Sequence, residues 1–326
     1  FNGWSPGNSR FIFKNNQLNF DVPSGVIEFK LTKGSWEKVE TTEKGEAIAN
    51  RSINIKKDTV VHLNVGGWQN VFEKNKPVSS ASKNVHLLDT SFYIPQLKRH
   101  RRIWIYLPKN YKKETSTKFP VLYMQDGQNL FDVATAFAGE WGVDEFMDTA
   151  RVKKSIVVGI DNGGSYRMTE YNPYNHDRFG KGEGKEYVDF MANILKPFID
   201  KNVRTLSDAK NTIVAGSSMG GLISMYAAMN YPEVFGKAGI FSPAFWVAGT
   251  EFFSDLRKKA KKINGDIYLY GGGLEGKEMV PDMQRTAKIL AKYSKAKIKT
   301  KIKKTGKHNE AEWQLQFPMF YRWVIK

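Results

Sequence analysis

The chain has 326 residues, long for one ordinary domain and comfortable for a large domain with a small one beside it. It contains no cysteine, which excludes disulfides, thiol nucleophiles and thiolate metal sites, and no apolar run approaches the ~18 residues that a membrane-spanning helix needs. Lys and Arg number 50 against 33 acidic residues, a formal charge of +17 that raises anionic partners.

In chain order, the first segment opens "FNGW" without Met or a signal peptide, so an upstream leader is expected to have been removed, as in a secreted or periplasmic protein. Residues 1–72 carry short alternating runs ("RFIFKNNQLNFDVPSGVIEFKLTKGSWEKVE", "NRSINIKKDTVVHLNVGGW") broken by "NN", "PSG" and "KGS". Such spacing predicts a small antiparallel β-sandwich. Residues 73–84 ("EKNKPVSSASKN") turn to Lys, Ser, Asn and Pro, the composition of a linker.

Residues 85–326 change to strands followed by helices, which predicts an α/β domain: a mostly parallel sheet covered by helices on both faces. "RRIWIYLP", "FPVLYMQDG", "SIVVGIDNG", "NTIVAGSS", "KAGIFSP" and "DIYLYGGG" read as strands. Most are unalternating Val/Ile/Leu/Tyr runs, as strands covered on both sides require. Helices are expected at "EGKEYVDFMANILKPFIDKNV", interrupted near Pro197, from about Met219, from about Pro281 to Tyr293, and over "EAEWQLQFPMFYRWVIK". The positive charge concentrates in "RKKAKK" (Arg257 to Lys262) and "KAKIKTKIKKTGK" (Lys295 to Lys307). In the latter, Lys alternates with Ala296, Ile298, Thr300 and Ile302, the pattern of an edge strand with one solvated Lys face. No interleaved aromatic platform accompanies it, so nucleic acid is not an expected partner, nor is a membrane.

Gly216-Ser217-Ser218-Met219-Gly220 fits G-x-S-x-G between a strand and a helix, the sharp turn that exposes a nucleophilic serine at the carboxyl edge of a sheet. Small residues let strand and helix approach, Ser218 takes a strained conformation, and the Met219 N–H faces an oxyanion at the helix N-terminus. Such a serine needs a base. Of five histidines, His62, His86, His100 and His176 precede Ser218, and His308 alone follows it, between the last strand and the closing helix. That is the chain order of α/β-hydrolases. The acid that orients His308 should lie between the two and past the end of a strand. Asp266 begins its strand, and Glu233, Glu251 and Asp255 end none, which leaves Glu275 in "GGGLEGKEM", with Glu278 and Asp282 behind it. A second oxyanion donor is expected in "YMQDGQNLFD", from the N–H of Gln128 or of Gly127.

The runs "FPVLYMQDGQNLFD", "GEWGVDE", "IVVGIDNGGSYRMTEYNPY", "VAGSSMGG" and "GKHNEAEW" together resemble the motif series of the esterase-D-type esterases over roughly residues 85–326. That family includes feruloyl and acetylxylan esterases, S-formylglutathione hydrolases, enterochelin esterases and mycolyltransferases. The resemblance implies an α/β-hydrolase fold, Ser218 as nucleophile and His308 as base. It also implies Trp141, Asn162, Arg167, Glu170 and Tyr171 near the acyl pocket or holding its walls, with an ion pair as the alternative role of Arg167 and Glu170. Trp246 joins Trp141 and Tyr171 as a pocket candidate suited to an aromatic or small acyl group. The amino-terminal segment resembles glycogen- and starch-binding modules at "FNGW", "EFKL", "GSW" and "ANR", although such modules begin one strand earlier. Carried over, this implies Trp4 and Trp36 for sugar stacking, and Lys30 and Asn50 for polar contacts.

The expected activity is hydrolysis of an acyl ester of a carbohydrate, feruloyl or acetyl, on a polysaccharide or oligosaccharide, through an acyl-enzyme and with no metal or organic cofactor. The alternatives are a siderophore esterase of the enterochelin type, for which the basic surface would suit an anionic ferric catecholate, and a carbohydrate-binding protein with an inactive hydrolase domain.

Overall fold

The structure, a computed structural model, describes residues 6–69 and 77–326. The chain divides into two compact units, Phe1–Val78 and Ser79–Lys326.

In the small unit, β1 (Gly25–Phe29) pairs antiparallel with β3 (Arg51–Ile55), and β2 (Glu40–Thr41) with β4 (Gly67–Trp68). Two short ladders replace the expected sandwich among the described residues. "RFI" closes a 3₁₀ turn (Ser9–Phe11), and residues 60–66, before β4, join no ladder. Val60 and Val61 are 83% and 41% exposed, while Leu63 and Val65 are half-buried with no pairing strand among the described residues. The buried Glu40 carboxylate ties the unit together, accepting from the Leu31 amide at 2.9 Å and from Arg51 Nε at 2.8 Å.

The larger unit is built on an eight-stranded sheet of β5 (Val85–Ile94), β6 (Arg99–Tyr106), β7 (Val121–Gln125), β8 (Ile156–Ile160), β9 (Thr212–Ser217), β10 (Lys237–Phe241), β11 (Asp266–Gly272) and β12 (Lys297–Lys303). Across the sheet the order is β12-β11-β10-β9-β7-β8-β6-β5. Every pair from β12 to β8 is parallel, and β6 runs antiparallel to both β8 and β5. The helices are α1 (Val143–Thr149), α2 (Arg167–Glu170), α3 (Gly184–Phe190), α4 (Lys196–Asn202), α5 (Met219–Asn230), α6 (Phe245–Lys259), α7 (Met279–Tyr293) and α8 (Glu310–Val324). Every residue of β7, β8 and β9 is buried, because helices cover both faces. One apolar layer gathers Phe190, Leu195, Leu222, Phe252 and Leu290 from α3 to α7. The other gathers Met147 with Trp313, Phe317 and Phe320 of α8. This is the α/β-hydrolase architecture read from the sequence.

Three local features differ from expectation. Residues 79–84, assigned to the linker, hydrogen-bond into the larger unit: Ser79 Oγ and the Ser80 amide reach Asp132, Ser80 Oγ reaches Glu140, the Ser82 amide reaches Asp144, and Asn84 Nδ2 reaches Asp148. A row of carboxylates captures a segment rich in small donors; residues 73–76 lie outside the described residues. The expected interruption is a π turn (Met191–Leu195) through which the backbone stays helical, and Pro197 sits just after it in the first turn of α4. Finally, the start of "RKKAKK" is the last turn of α6, a helix the sequence pattern does not announce, where Arg257, Lys258 and Lys259 face the negative end of the helix dipole. The Lys-rich β12 is the sheet's edge strand, with Lys297, Lys299 and Lys301 exposed.

Candidate active site

The site forms where β7, β9, β10 and β11 end side by side. β9 ends at Ser217, α5 begins at Met219, and Ser218 between them has φ +57° and ψ −121°. A residue other than glycine would take up that conformation only under strain. A Cβ on Gly216 would lie 2.7 Å from the Gly220 carbonyl oxygen, so this side of the turn must be bare. The Ser218 amide donates to the Phe241 carbonyl at 2.9 Å, and the Ser218 carbonyl accepts from Ala244 at 3.0 Å. Both bonds fix the corner to the end of β10. The Met219 N–H, first in α5, has no intrahelical acceptor and lies at the positive end of the helix.

β7 is the neighbour of β9, with Met124 opposite Ala215, so the loop after β7 opens beside Ser218. It leaves through Asp126, whose φ is +56°, into a 3₁₀ turn over Gly127–Asn129. A Cβ on Gly127 would come 2.8 Å from the backbone of Gly159 and Ile160 on β8. The loop is bolted down from the other side by residues 162–171. Arg167 Nε and Nη2 donate to the two Asp126 oxygens at 2.6 and 2.8 Å, and Asn162 Nδ2 donates to Oδ1 at 2.7 Å. The Asp126 amide donates to the Tyr171 hydroxyl at 3.2 Å. The Gln128 side chain accepts from the Asn162 amide at 3.2 Å, and its own N–H, inside the first 3₁₀ turn, has no partner within that turn.

The third group comes from the ends of β11 and β12. Glu275, three residues past β11, has a fully buried side chain; its Oε2 lies 2.8 Å from His308 Nδ1. Its other oxygen accepts from the Gly272 amide at 2.6 Å and from the Ser242 hydroxyl at 2.9 Å. His308 is 39% exposed and rests edge-on against the Trp313 ring at 5.1 Å. Of the three carboxylates considered, Glu275 is the one on His308. Glu278 precedes α7 and Asp282 lies in its first turn. Glu310, first residue of α8, receives a bond from Asn129 Nδ2 at 3.4 Å. Burial pushes its carboxyl up to about 7, with the charge of Asp126 adding and those of His308 and Arg167 opposing.

The pocket candidates separate by burial. Trp141, 3% exposed, stacks on Trp313 at 5.7 Å and abuts Phe241 at 5.0 Å, and Tyr171 is fully buried against Tyr187. Both rings therefore lie in the interior, and the polar groups of Asn162 and Arg167 are engaged on Asp126. Glu170 is not the partner of Arg167: it is buried between Arg101 and Arg99, a link that fastens the 161–184 loop to β6. Trp246, at 52% exposure, alone among these aromatics presents its ring to solvent. In the small unit, Trp4 lies outside the described residues and Trp36 is half-buried in a 3₁₀ turn. Lys30 donates to the Ile48 carbonyl at 2.6 Å and Asn50 to Glu28 at 3.5 Å, so these two polar groups are engaged within the unit. Sequence reasoning passed over Ser242, Asp126, Trp313 and Glu310. "FSP" after a strand and "HNEAEW" were the available signals, but neither carries a pattern that demands a role. Among the described residues, no group of three or more acidic or His side chains could hold a metal ion.

A nucleophile corner at the carboxyl edge of a parallel sheet, with a His–carboxylate pair past the following strands, defines a carboxylic ester hydrolase of the α/β-hydrolase fold. The chain belongs to the family described as "Putative esterase", which matches residues 94–323. It is 31% identical to the uncharacterized protein YbbA of Bacillus subtilis (strain 168), over 55% of this chain and 70% of that one. Similarity extends to an endo-1,4-beta-xylanase/feruloyl esterase of Xylanibacter ruminicola, 32% identical over 42% of this chain but 19% of that protein. An iron(III) salmochelin esterase of Escherichia coli O6:H1 is 26% identical over 45% of this chain and 33% of its own length. Among solved structures, an IroE-like serine hydrolase from Shewanella oneidensis shares the fold, with a TM-score of 0.60 at 19% identity over 74% of this chain and 79% of that one.

Proposed function

We propose that the protein is a serine esterase that cleaves acyl esters of carbohydrates, of the feruloyl or acetyl type. Ser218 attacks the ester carbonyl while His308 takes its proton. The imidazolium then protonates the departing alcohol, and Glu275 holds the ring and offsets its charge. The amides of Met219 and Gln128, with Gly127 beside them, receive the negative oxygen of the tetrahedral intermediate. Water, deprotonated by the same imidazole, attacks the acyl-enzyme and frees Ser218. The observation that carries this reading is the buried Glu275 carboxylate 2.8 Å from His308 Nδ1, since a group so held is oriented before any substrate arrives.

The substrate class is supported by the relative named a xylanase/feruloyl esterase and by the exposed Trp246 ring, a surface for an aromatic acyl group or a sugar face. Charge points the same way. Arg167 is already neutralised by Asp126, and Glu310 adds a carboxyl, so these residues suit a neutral, hydroxyl-bearing alcohol better than an anion. A siderophore ester is the second reading, favoured by the salmochelin esterase relative and by the formal charge of +17. Turnover of methyl ferulate, acetylated xylan and enterobactin by the wild type and by Ser218→Ala separates the two. We expect the first two substrates to be preferred and their hydrolysis to be lost in the variant. A preference for enterobactin selects the second reading, and a variant within about tenfold of wild type removes Ser218 from the chemistry.

A further inference from the structure

We infer that Ser242 is a positioning residue for this reaction, acting through Glu275; the inference rests on the role assigned above to the Glu275–His308 pair. Ser242 directly follows β10, is fully buried, and has φ +42°, in the region that glycine occupies freely and other residues occupy under strain. Glycine would hold this backbone more easily, so the side chain must be what the position uses.

Its hydroxyl is caught between two groups. It accepts from Trp313 Nε1 at 2.9 Å and lies 2.9 Å from Glu275 Oε1. An indole N–H can only donate, so the hydroxyl faces Trp313 with a lone pair and directs its single proton at the carboxylate. Trp313 thus donates to Ser242 and Ser242 to Glu275, while the His308 Nδ1–H donates to the same carboxylate from the other side. With the Gly272 amide at 2.6 Å, Oε1 is occupied by two donors, which leaves Oε2 for the imidazole and stops the carboxylate from turning. Trp313 closes the loop, since the ring that donates to Ser242 also packs edge-on to His308.

The backbone adds a second tie. The Ser242 amide donates to the Tyr270 carbonyl at 2.7 Å, and the preceding residue, Phe241, accepts from the Ser218 amide at 2.9 Å. One dipeptide at the end of β10 thus sets the position of the nucleophile's backbone and of the acid that orients the base. Ser242 itself touches no reacting atom in this scheme. Its effect should appear in turnover, leave substrate binding alone, and vanish when Glu275 can no longer act as a carboxylate.

The test is a double-mutant cycle on p-nitrophenyl acetate hydrolysis with the full chain, using Ser242→Gly, Glu275→Gln and both together. Glycine removes the hydroxyl while relieving the positive φ, so the fold should survive; Ser242→Ala, which keeps the strain, repeats the cycle as a control. We expect Ser242→Gly to lower kcat about tenfold or more with KM within about twofold. In the Glu275→Gln background the same change should move kcat less than about twofold. The inference is overturned if Ser242→Gly stays within twofold of wild type, or if it lowers kcat by the same factor whether or not Glu275 is intact, as a merely structural serine would. An inactive Ser218→Ala and a crippled Glu275→Gln beside an unaffected Ser242→Gly would refute this inference alone. A fully active Glu275→Gln would refute the reading of the site beneath it.

Discussion

Glu275 Oε2 and His308 Nδ1 lie 2.8 Å apart although the two residues belong to loops that follow different strands, β11 and β12. The pairing is made by the sheet: β11 and β12 are parallel neighbours in register from Asp266 opposite Lys297 to Gly272 opposite Lys303, so their carboxyl ends deliver both loops to one place. Changing Glu275 to Gln should preserve the fold and lower kcat about a hundredfold or more, because the imidazole loses both its tautomer preference and the stabilisation of its charged form. Steady-state hydrolysis of p-nitrophenyl acetate measures it. Near-wild-type turnover would mean that another group orients His308.

The clamp on Asp126 gives a second expectation. Arg167→Gln removes two of the three side-chain bonds that hold the Asp126 carboxylate at the start of the Gly127–Asn129 turn. The Gln128 amide then loses its fixed aim at the developing oxyanion, and kcat should fall by about tenfold to a hundredfold while a substrate's ground-state affinity changes little. A rise in KM alone, with kcat unchanged, would show that Arg167 contacts substrate and does not act through the loop.

Trp246 should matter in proportion to the size of the acyl or sugar group it meets. Trp246→Ala is expected to raise KM for methyl ferulate about fivefold, the scale of one lost aromatic contact, and to leave p-nitrophenyl acetate nearly unchanged. Equal effects on the two esters would place the ring outside the binding surface.

Glu310 supplies a dependence of stability on pH. Its carboxyl is pushed up to about 7 in the folded protein, chiefly by burial, so folding favours its neutral form. The contribution is fully present below the ordinary carboxylate pKa of about 4.5 and is lost as pH rises through 7. Glu310→Gln cannot ionise and escapes that loss. Relative to the variant, the wild type should therefore melt about 5 °C lower at pH 8.5 than it does at pH 5. Parallel Tm profiles for the two proteins would show that Glu310 ionises freely where it stands.

Some of this was legible without the structure, for definite reasons. Gly216 must be bare because the Gly220 carbonyl stands four residues on, so that part of the corner is written in a local pattern, whereas Gly220 and Gly221 are crowded by Gln125 and Phe241 from the neighbouring strands. The buried strands are read from unbroken apolar runs, and the edge strand from its alternating lysines, because burial on two faces, or exposure of one, acts residue by residue. Histidine order along the chain points to His308 and the strand end to Glu275, and these two side chains meet at 2.8 Å.

What only the tertiary structure decided is how side chains from separate loops are shared. Glu170 took Arg101 and Arg99 as partners, and Arg167 took Asp126, although Arg167 and Glu170 stand three residues apart in sequence. Trp141 and Tyr171 went into the interior and Trp246 stayed at the surface, though all three are aromatic residues in the connections that follow strands β7, β8 and β10. Ser242, with its hydroxyl between Trp313 and Glu275, has no signature in the chain at all. Local pattern fixes where a strand ends and what the turn after it must look like, since those depend on neighbours in sequence. Partner choice among buried charges and rings depends on the distances that sheet order and register impose, and these arise only when strands far apart in the chain are laid side by side.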